Sequence, residues 1–311
     1  MQAASSALHT LNLTKHYRNA AALTDLTMTV PRGEVFGFLG PNGAGKTTSV
    51  KLLLGLARPT SGQAWVLGAP LGDQGTRRHI GYLPELFRYQ GWLRAREVLS
   101  LHCELAQLPR SSWAAEVTDA LLTVGLEDRG GDRVADFSKG MQQRLGLGVA
   151  LLGNPHMVFL DEPTSALDPV GRRDVREIIR KLKARGTTVF LNSHLLTEVE
   201  QVCDRVAIVD HGKVVATGPL DDLLSSKVGV RIRATGLDRE GVDSMRRFGR
   251  VVEADGWISI EGAGADDVPE LVAEMVRRGA RVYAVEPQHE SLEQRFMSLL
   301  GGEKEETTWT P

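Results

Sequence analysis

The chain is poor in the features that mark several protein classes. Of its 311 residues only two are cysteines, Cys103 and Cys203, far apart and without metal-like spacing. They read as free thiols in a reducing compartment, which leaves no disulfide framework to build on. Neither sign of charge dominates: 37 basic residues face 39 acidic ones, for a net charge of −2. That balance gives no global argument for binding nucleic acid or an anionic membrane. No apolar run approaches the ~18–20 residues of a membrane span. The opening Met-Gln-Ala-Ala-Ser-Ser has neither a charged leader region nor a long apolar stretch, so it does not read as a signal peptide. The expectation is a cytosolic protein that reaches a membrane only through a partner. No internal repeat is visible. What is present is ordinary globular composition, 42% hydrophobic, and a length that suggests two domains at a prior of roughly 150 residues each.

One stretch carries the most information: Gly40-Pro41-Asn42-Gly43-Ala44-Gly45-Lys46-Thr47-Thr48. It fits G-x-x-x-x-G-K-[ST], a loop whose backbone N–H groups turn toward one centre and cradle phosphate oxygens. Lys46 adds a cation near the β- and γ-phosphates, and the Thr47 hydroxyl is placed to ligate Mg²⁺. The flanks agree. Val35–Leu39 is a short apolar strand, and Thr47–Leu56 reads as a helix whose N-terminus faces the anion.

Further short apolar runs at Ile80–Leu83, Met157–Leu160, Thr188–Leu191 and Arg205–Val209 alternate with helical sequence, the pattern of a covered parallel sheet. Leu11–Leu13 and Ala22–Val30 read as a smaller antiparallel piece. About 93–152 holds no good strand and forms a helical insertion. After Leu224 the order becomes strand Val228–Ala234, helix Arg239–Phe248, strands Arg250–Ala254 and Trp257–Glu261, helix Asp266–Arg278 and strand Ala280–Val285. That β-α-β-β-α-β order is the split βαβ, ferredoxin-like plan. A closing helix, Glu290–Leu300, follows Pro287, and 301–311 reads as a polar, mobile tail. The domains expected are therefore 1–226 and 227–300.

Two more segments carry chemistry. Met157–Leu160 runs straight into Asp161 and Glu162. A buried strand delivers its last residues to the carboxyl edge of the sheet, where ligands bind. Adjacent residues point to opposite sides, so Asp161 can face Mg²⁺ while Glu162 faces a water beyond the γ-phosphate. In Phe137-Ser138-Lys139-Gly140-Met141, Ser138 can cap the following helix and offer its N-terminus to an anion.

With these residues in this order the chain resembles the ATP-binding subunit of a bacterial ABC transporter of the exporter branch, over roughly residues 8–224. The resemblance implies an α/β fold: an ABC-type P-loop ATPase with a parallel-sheet core, a small antiparallel β subdomain and a helical insertion. The C-terminal α+β (ferredoxin-like) domain stands outside it. The resemblance further implies ATP and Mg²⁺ as ligands. Glu162, His194 and Lys46 become the catalytic residues, with His194 matching the family's switch histidine. Tyr17 sits where an aromatic stacks on adenine, although as a lone aromatic it also reads as packing. Ser165-Ala166-Leu167-Asp168 matches the loop between the cassettes. Ser138 and Gly140 would cover ATP held by a second copy, so a dimer is implied, of itself or with a paralogous ATPase subunit. The other partner implied is an integral membrane permease subunit, reached from the cytoplasmic face; no nucleic acid is expected.

Two positions depart from the family pattern. Glu85 stands where glutamine is usual, keeping an oxygen for Mg²⁺ or water but adding negative charge. Lys139 and Met141 replace glycine and glutamine in the signature; Lys139 either adds charge near the γ-phosphate or lies in solvent. Leu86-Phe87-Arg88-Tyr89-Gln90-Gly91-Trp92 is rich in large apolar groups, where the family meets its membrane subunit. The alternatives are packing of the insertion or a mixture of the two. Arginines from Arg231 to Arg250 make the C-terminal domain locally basic, which reads as a solvated face. Leu292, Phe296, Leu299 and Leu300 share a helical face, suited either to pairing with a second copy or to packing on their own domain. The competing functional classes are a soluble ABC ATPase acting on ribosomes or DNA, and an assembly or maturation ATPase. One phosphate loop, no long heptad run and no cysteine cluster argue against the first, and an intact Glu162 against a module without turnover.

Overall fold

Short, largely apolar segments build the central sheet of this protein because both of its faces are covered. The computed structural model describes residues 6–18, 20–165, 167–224, 229–254, 256–288 and 291–301. They fall into two compact units that meet in sequence between Leu220 and Asp221. The boundary expected at 226 lies outside the described residues.

In the first unit the elements run β1 (Ser6–Tyr17), β2 (Ala20–Pro31), β3 (Val35–Leu39), α1 (Lys46–Leu53), β4 (Ser61–Val66), β5 (Ala69–Pro70), α2 (Gln74–Arg77) and β6 (Ile80–Leu83). Then come α3 (Ala95–Leu105), α4 (Trp113–Thr123), α5 (Lys139–Ala150), β7 (Met157–Asp161), α6 (Pro169–Ala184), β8 (Thr188–Ser193), α7 (Leu196–Val202), β9 (Arg205–Asp210) and β10 (Lys213–Pro219). The main sheet has the order β10-β9-β3-β8-β7-β6. β9, β3, β8, β7 and β6 are parallel, and β10 runs back along β9. Every residue of β3, β7 and β8 is buried. Phe190 of β8 ties the layer together, with ring centroids 5.8, 5.3 and 5.2 Å from those of Phe36, Phe38 and Phe159. Parallel order sends the carboxyl ends of β3, β6, β7 and β8 to one edge, where a ligand is met.

The smaller sheet, β2-β1-β4-β5, is antiparallel. β1 is far longer than Leu11–Leu13 because one of its faces meets water, so polar residues such as Asn12, Lys15 and His16 sit within the strand. Its apolar face, with Leu8 and Leu13, joins the same core as Phe36 and Phe38. α1 stops at Leu53, short of the expected Leu56, where the N–H groups of Gly55 and Leu56 turn back to the carbonyls of Leu52 and Lys51. Between β6 and β7 the described residues hold three helices and no named strand.

The second unit holds β11 (Gly229–Thr235), α9 (Arg239–Ser244), β12 (Arg250–Ala254), β13 (Trp257–Glu261), α10 (Val268–Arg277), β14 (Arg281–Gln288) and α11 (Leu292–Gly301); α8 (Leu220–Leu224) precedes them at the junction. The sheet order β12-β13-β11-β14, antiparallel at every pair, is the ferredoxin-like order. Val230, Ile232, Ile260, Leu271 and Met275 form its core. Two expectations need correction. The helix from Arg239 ends at Ser244 and tightens into a 3₁₀ turn at Met245–Arg247, a common helix ending. β14 runs past Val285 through Pro287, which an edge strand tolerates because one row of N–H groups is not needed for pairing. On α11, Leu292 is buried while Phe296, Leu299 and Leu300 are half-buried, so that face is not free along its whole length. Of the positions expected in this unit, Val228, Glu290 and the tail beyond Gly301 lie outside the described residues.

Phe190→Ala tests the packing of the central layer. It should lower unfolding free energy by about 3–5 kcal/mol, as for other buried aromatic truncations, in equilibrium urea unfolding. A loss below about 1 kcal/mol would show that the four rings do not hold the sheet together.

Candidate functional site

The loop after β3 turns on Gly45, which precedes α1 with φ 97°. A Cβ there would lie 2.3 Å from the Ala22 carbonyl oxygen, so only glycine lets the loop pass beneath β2. Lys46 opens α1 and is only 7% exposed. Its Nζ donates to the carbonyls of Gly40 (2.8 Å) and Pro41 (3.3 Å), which holds the ammonium over the loop. Burial pushes its pKa down, and the carboxylates of Glu162, Asp161 and Glu85 oppose that.

The carboxylates arrive on β7. Asp161 is the strand's last residue, and Glu162 follows with φ 51°, a left-handed conformation that is unusual for glutamate. The Glu162 N–H donates to the Asn192 carbonyl at 2.8 Å, and the Ser165 hydroxyl donates to the Glu162 carbonyl at 2.9 Å. These bonds hold the turn. The Asn192 side-chain amide donates to Asp161 Oδ1. Burial raises the Asp161 pKa. The Asn192 bond and Lys46 counter that, while Glu85 and Glu162 add to it.

Glu162 is 6% exposed. His194 Nδ1 lies 2.8 Å from its Oε2, an ion-pair distance. The approach is not directed as a hydrogen bond, and Oε2 remains a buried acceptor without a hydrogen-bond partner. Asn192 Oδ1 is also buried and unpartnered.

These groups share one cleft of about 320 Å³, lined by Asn42, Gly43, Gly45, Lys46, Thr47, Thr48, Glu85, Glu162 and His194 together with Ala22 and Asn192. Asp161 reaches it through Asn192. Gly40 and Pro41 serve through their carbonyls, and Ala44 is buried behind the wall. Sequence reasoning missed Ala22 and Asn192. A polar residue near the end of an otherwise apolar strand was the available signal for Asn192.

Three expected residues lie apart from this wall. Tyr17 sits at the end of the β1–β2 hairpin with the Lys15 ammonium 4.8 Å from its ring centroid, and it does not line the cleft. Ser138 caps α5, its hydroxyl accepting from the Met141 N–H at 3.2 Å, and Gly140 lies beside it; neither lines the cleft of its own chain. Ala166 of the segment Ser165–Asp168 lies outside the described residues.

The apolar segment after Glu85 divides into two groups. Phe87 packs toward α5, where a Cβ on Gly146 would come within 2.6 Å of its ring. Tyr89 lies tilted beside Phe87, ring centroids 5.3 Å apart, and meets His102 edge-on at 5.6 Å, and burial pushes its hydroxyl pKa up. Leu86 and Trp92 are instead 87% and 74% exposed. Phe87 and Tyr89 are thus half-buried against the helical insertion, while Leu86 and Trp92 are open to water.

The sequence model of the ABC transporter family matches residues 23–165. An uncharacterized ABC transporter ATP-binding protein of Nostoc sp. is 39% identical over 97% of this chain and 92% of its own length. The bacitracin transport ATP-binding protein BcrA of Bacillus licheniformis is 34% identical over 96% of this chain and 98% of its own. The Nod factor export ATP-binding protein I of Rhizobium meliloti is 35% identical over 73% and 68%. A solved ATP-binding subunit of an ABC transporter superposes with a TM-score of 0.63 at 33% identity, covering 70% of this chain and 92% of that one. The chain belongs to the ATP-binding subunits of ABC transporters, ATPases that supply the energy for transport.

Proposed function

We propose that this subunit drives an exporter, with two copies closing on ATP and Glu162 polarising the attacking water. The observation that carries the reading is the buried Glu162, its Oε2 2.8 Å from His194 Nδ1, in the same cleft as Lys46 and the phosphate loop. Glu162 takes the proton as the water oxygen attacks the γ-phosphorus, and the bond to the bridging oxygen breaks to leave ADP and phosphate. Phosphoryl transfer needs positioning and charge neutralisation more than covalent help. Lys46 and the loop N–H groups supply both. His194 holds Glu162 from the solvent side and meets the γ-phosphate.

Mg²⁺ fits the donor set. The Thr47 hydroxyl and the carboxylates of Asp161 and Glu85 are hard oxygen donors. Among the described residues no group of three or more His, Cys, Asp or Glu could hold an ion unaided. That suits a cation held partly by phosphate oxygens, where it neutralises their charge.

Ser138 and Gly140 do not line the cleft of their own chain, in keeping with service in the cleft of a second copy. Leu86 and Trp92 form the surface offered to a membrane permease at the cytoplasmic face. Among the described residues no helix is long and apolar enough to cross a membrane. The export direction rests on relatives named for bacitracin transport and Nod factor export.

Three experiments test the reading. Glu162→Gln should keep ATP binding and slow hydrolysis ~10²–10⁴-fold, the usual cost of losing a general base; the ATP-bound dimer should then accumulate on a sizing column. Wild-type turnover from a monomer would sink the assignment. At the second position, Glu85→Gln should retain most turnover and tighten ATP binding, because a negative charge leaves the phosphates' surroundings. Glu85→Ala should lower turnover, and unchanged turnover there removes Glu85 from the site. For the partner surface, Trp92→Ala should weaken capture of the permease roughly ten- to a hundredfold, from the apolar area withdrawn, with the isolated ATPase unaffected. Phe87→Ala should instead lower thermal stability. Equal effects from the two variants would contradict the division of the segment into packed and exposed groups.

A further inference from the structure

The chain between β9 and β10 is a two-residue turn. Asp210 and Lys213 pair across the hairpin, leaving His211 and Gly212 as the loop. Their φ angles are 44° and 77°. Two positive φ values in a two-residue loop mark a type I′ turn, whose twist matches that of the strands it joins. Glycine suits the second position, and histidine is among the side chains that tolerate the first.

This turn is bonded on both sides. The Gly212 N–H donates to the Ala44 carbonyl of the phosphate loop at 3.1 Å, and the Gly212 carbonyl accepts from the Thr24 N–H of β2 at 2.8 Å. There is no room for a side chain. A Cβ on Gly212 would lie 2.9 Å from Leu23 Cα and 3.1 Å from the Ala22 oxygen. The Cβ position of Gly45 is 2.3 Å from that same oxygen and 3.6 Å from Gly212 Cα. Three backbones therefore interlock here: β2 at Ala22–Thr24, the phosphate loop at Ala44–Gly45, and the turn.

The consequence for the loop follows from peptide geometry. No cis peptide bond is present among the described residues. In a trans peptide the carbonyl and the next N–H point opposite ways. Tying the Ala44 carbonyl to the turn thus directs the Gly45 N–H away from it. We propose that Gly212 is a positioning residue for nucleotide binding: its bond to Ala44 orients the Ala44–Gly45 peptide so that the Gly45 N–H meets a nucleotide phosphate. This rests on the reading of the cleft as the nucleotide site. Gly212 touches no reacting atom and acts through the loop.

The test is calorimetric titration of the full chain with ADP, beside steady-state ATPase kinetics. Gly212→Ala should weaken ADP binding roughly ten- to a hundredfold, the worth of one hydrogen bond to a charged group. It should raise KM for ATP more than it lowers kcat. Gly186→Ala is the control for backbone strain, since Gly186 has φ 80° but open space around its Cβ position. It should lower thermal stability and leave ADP affinity unchanged. His211→Asn keeps the left-handed turn and should also bind as wild type. Should Gly212→Ala not fold, a glycine inserted between His211 and Gly212 keeps a hairpin loop of allowed length, displaces the N–H from Ala44, and should weaken ADP in the same way. Wild-type ADP affinity in Gly212→Ala or the insertion variant, or equal loss of affinity in Gly186→Ala, overturns the proposal alone. A wild-type chain that does not bind ADP overturns the nucleotide reading as well.

Discussion

The arrangement of the first unit depends on keeping one ammonium charged while it is withdrawn from water. Lys46 is buried against loop carbonyls, and burial alone favours its neutral form. Asp161, Glu162 and Glu85 offset that, and Lys46 in turn stabilises ionised Asp161. Those groups come from β3, β7 and the exit of β6, and they converge because parallel strands end at a common edge. Three carboxylates around one ammonium leave the cleft negative before any nucleotide arrives.

Asn192 shows how much of the site is held by backbone and amide bonds. Its carbonyl accepts the Glu162 N–H, and its side chain donates to Asp161. One residue on β8 thereby sets both carboxylates on β7, including the left-handed turn at Glu162. Such a conformation costs on the order of 1–3 kcal/mol and persists only where neighbours over-determine it. The Asn192 carbonyl and Ser165 hydroxyl do so here.

The sequence disclosed the phosphate loop, the short buried strands and the ferredoxin-like order, because each is local: a glycine pattern, an apolar run, an alternation of periods. It concealed whatever depends on segments meeting across the sheet. Leu86, Phe87, Tyr89 and Trp92 are alike in composition, and only Gly146 on a distant helix explains why Phe87 packs while Trp92 stays in water. Tyr17 lies at a hairpin end, apart from the wall of the phosphate-loop cleft, a placement that residue type alone does not disclose. Ala22 and Gly212 contribute backbone atoms, which leave no signature in side-chain chemistry. The length of β1 was hidden because a strand wet on one face is half polar, and the passage of β14 through Pro287 because sheet edges are not visible in a single chain.

The position of β3 has a further consequence, for the order in which the protein can be made. This early strand lies between β8 and β9, pairing Val35 with Val189 and Phe36 with Arg205. As the chain leaves the ribosome, the phosphate loop is complete before residue 50, yet the strands that flank β3 do not exist until nearly the whole first unit has been synthesised. Contacts so remote in sequence form late and slowly. A nascent chain of this protein therefore carries its phosphate loop for most of the synthesis of the first unit without the two strands that flank β3 in the finished sheet.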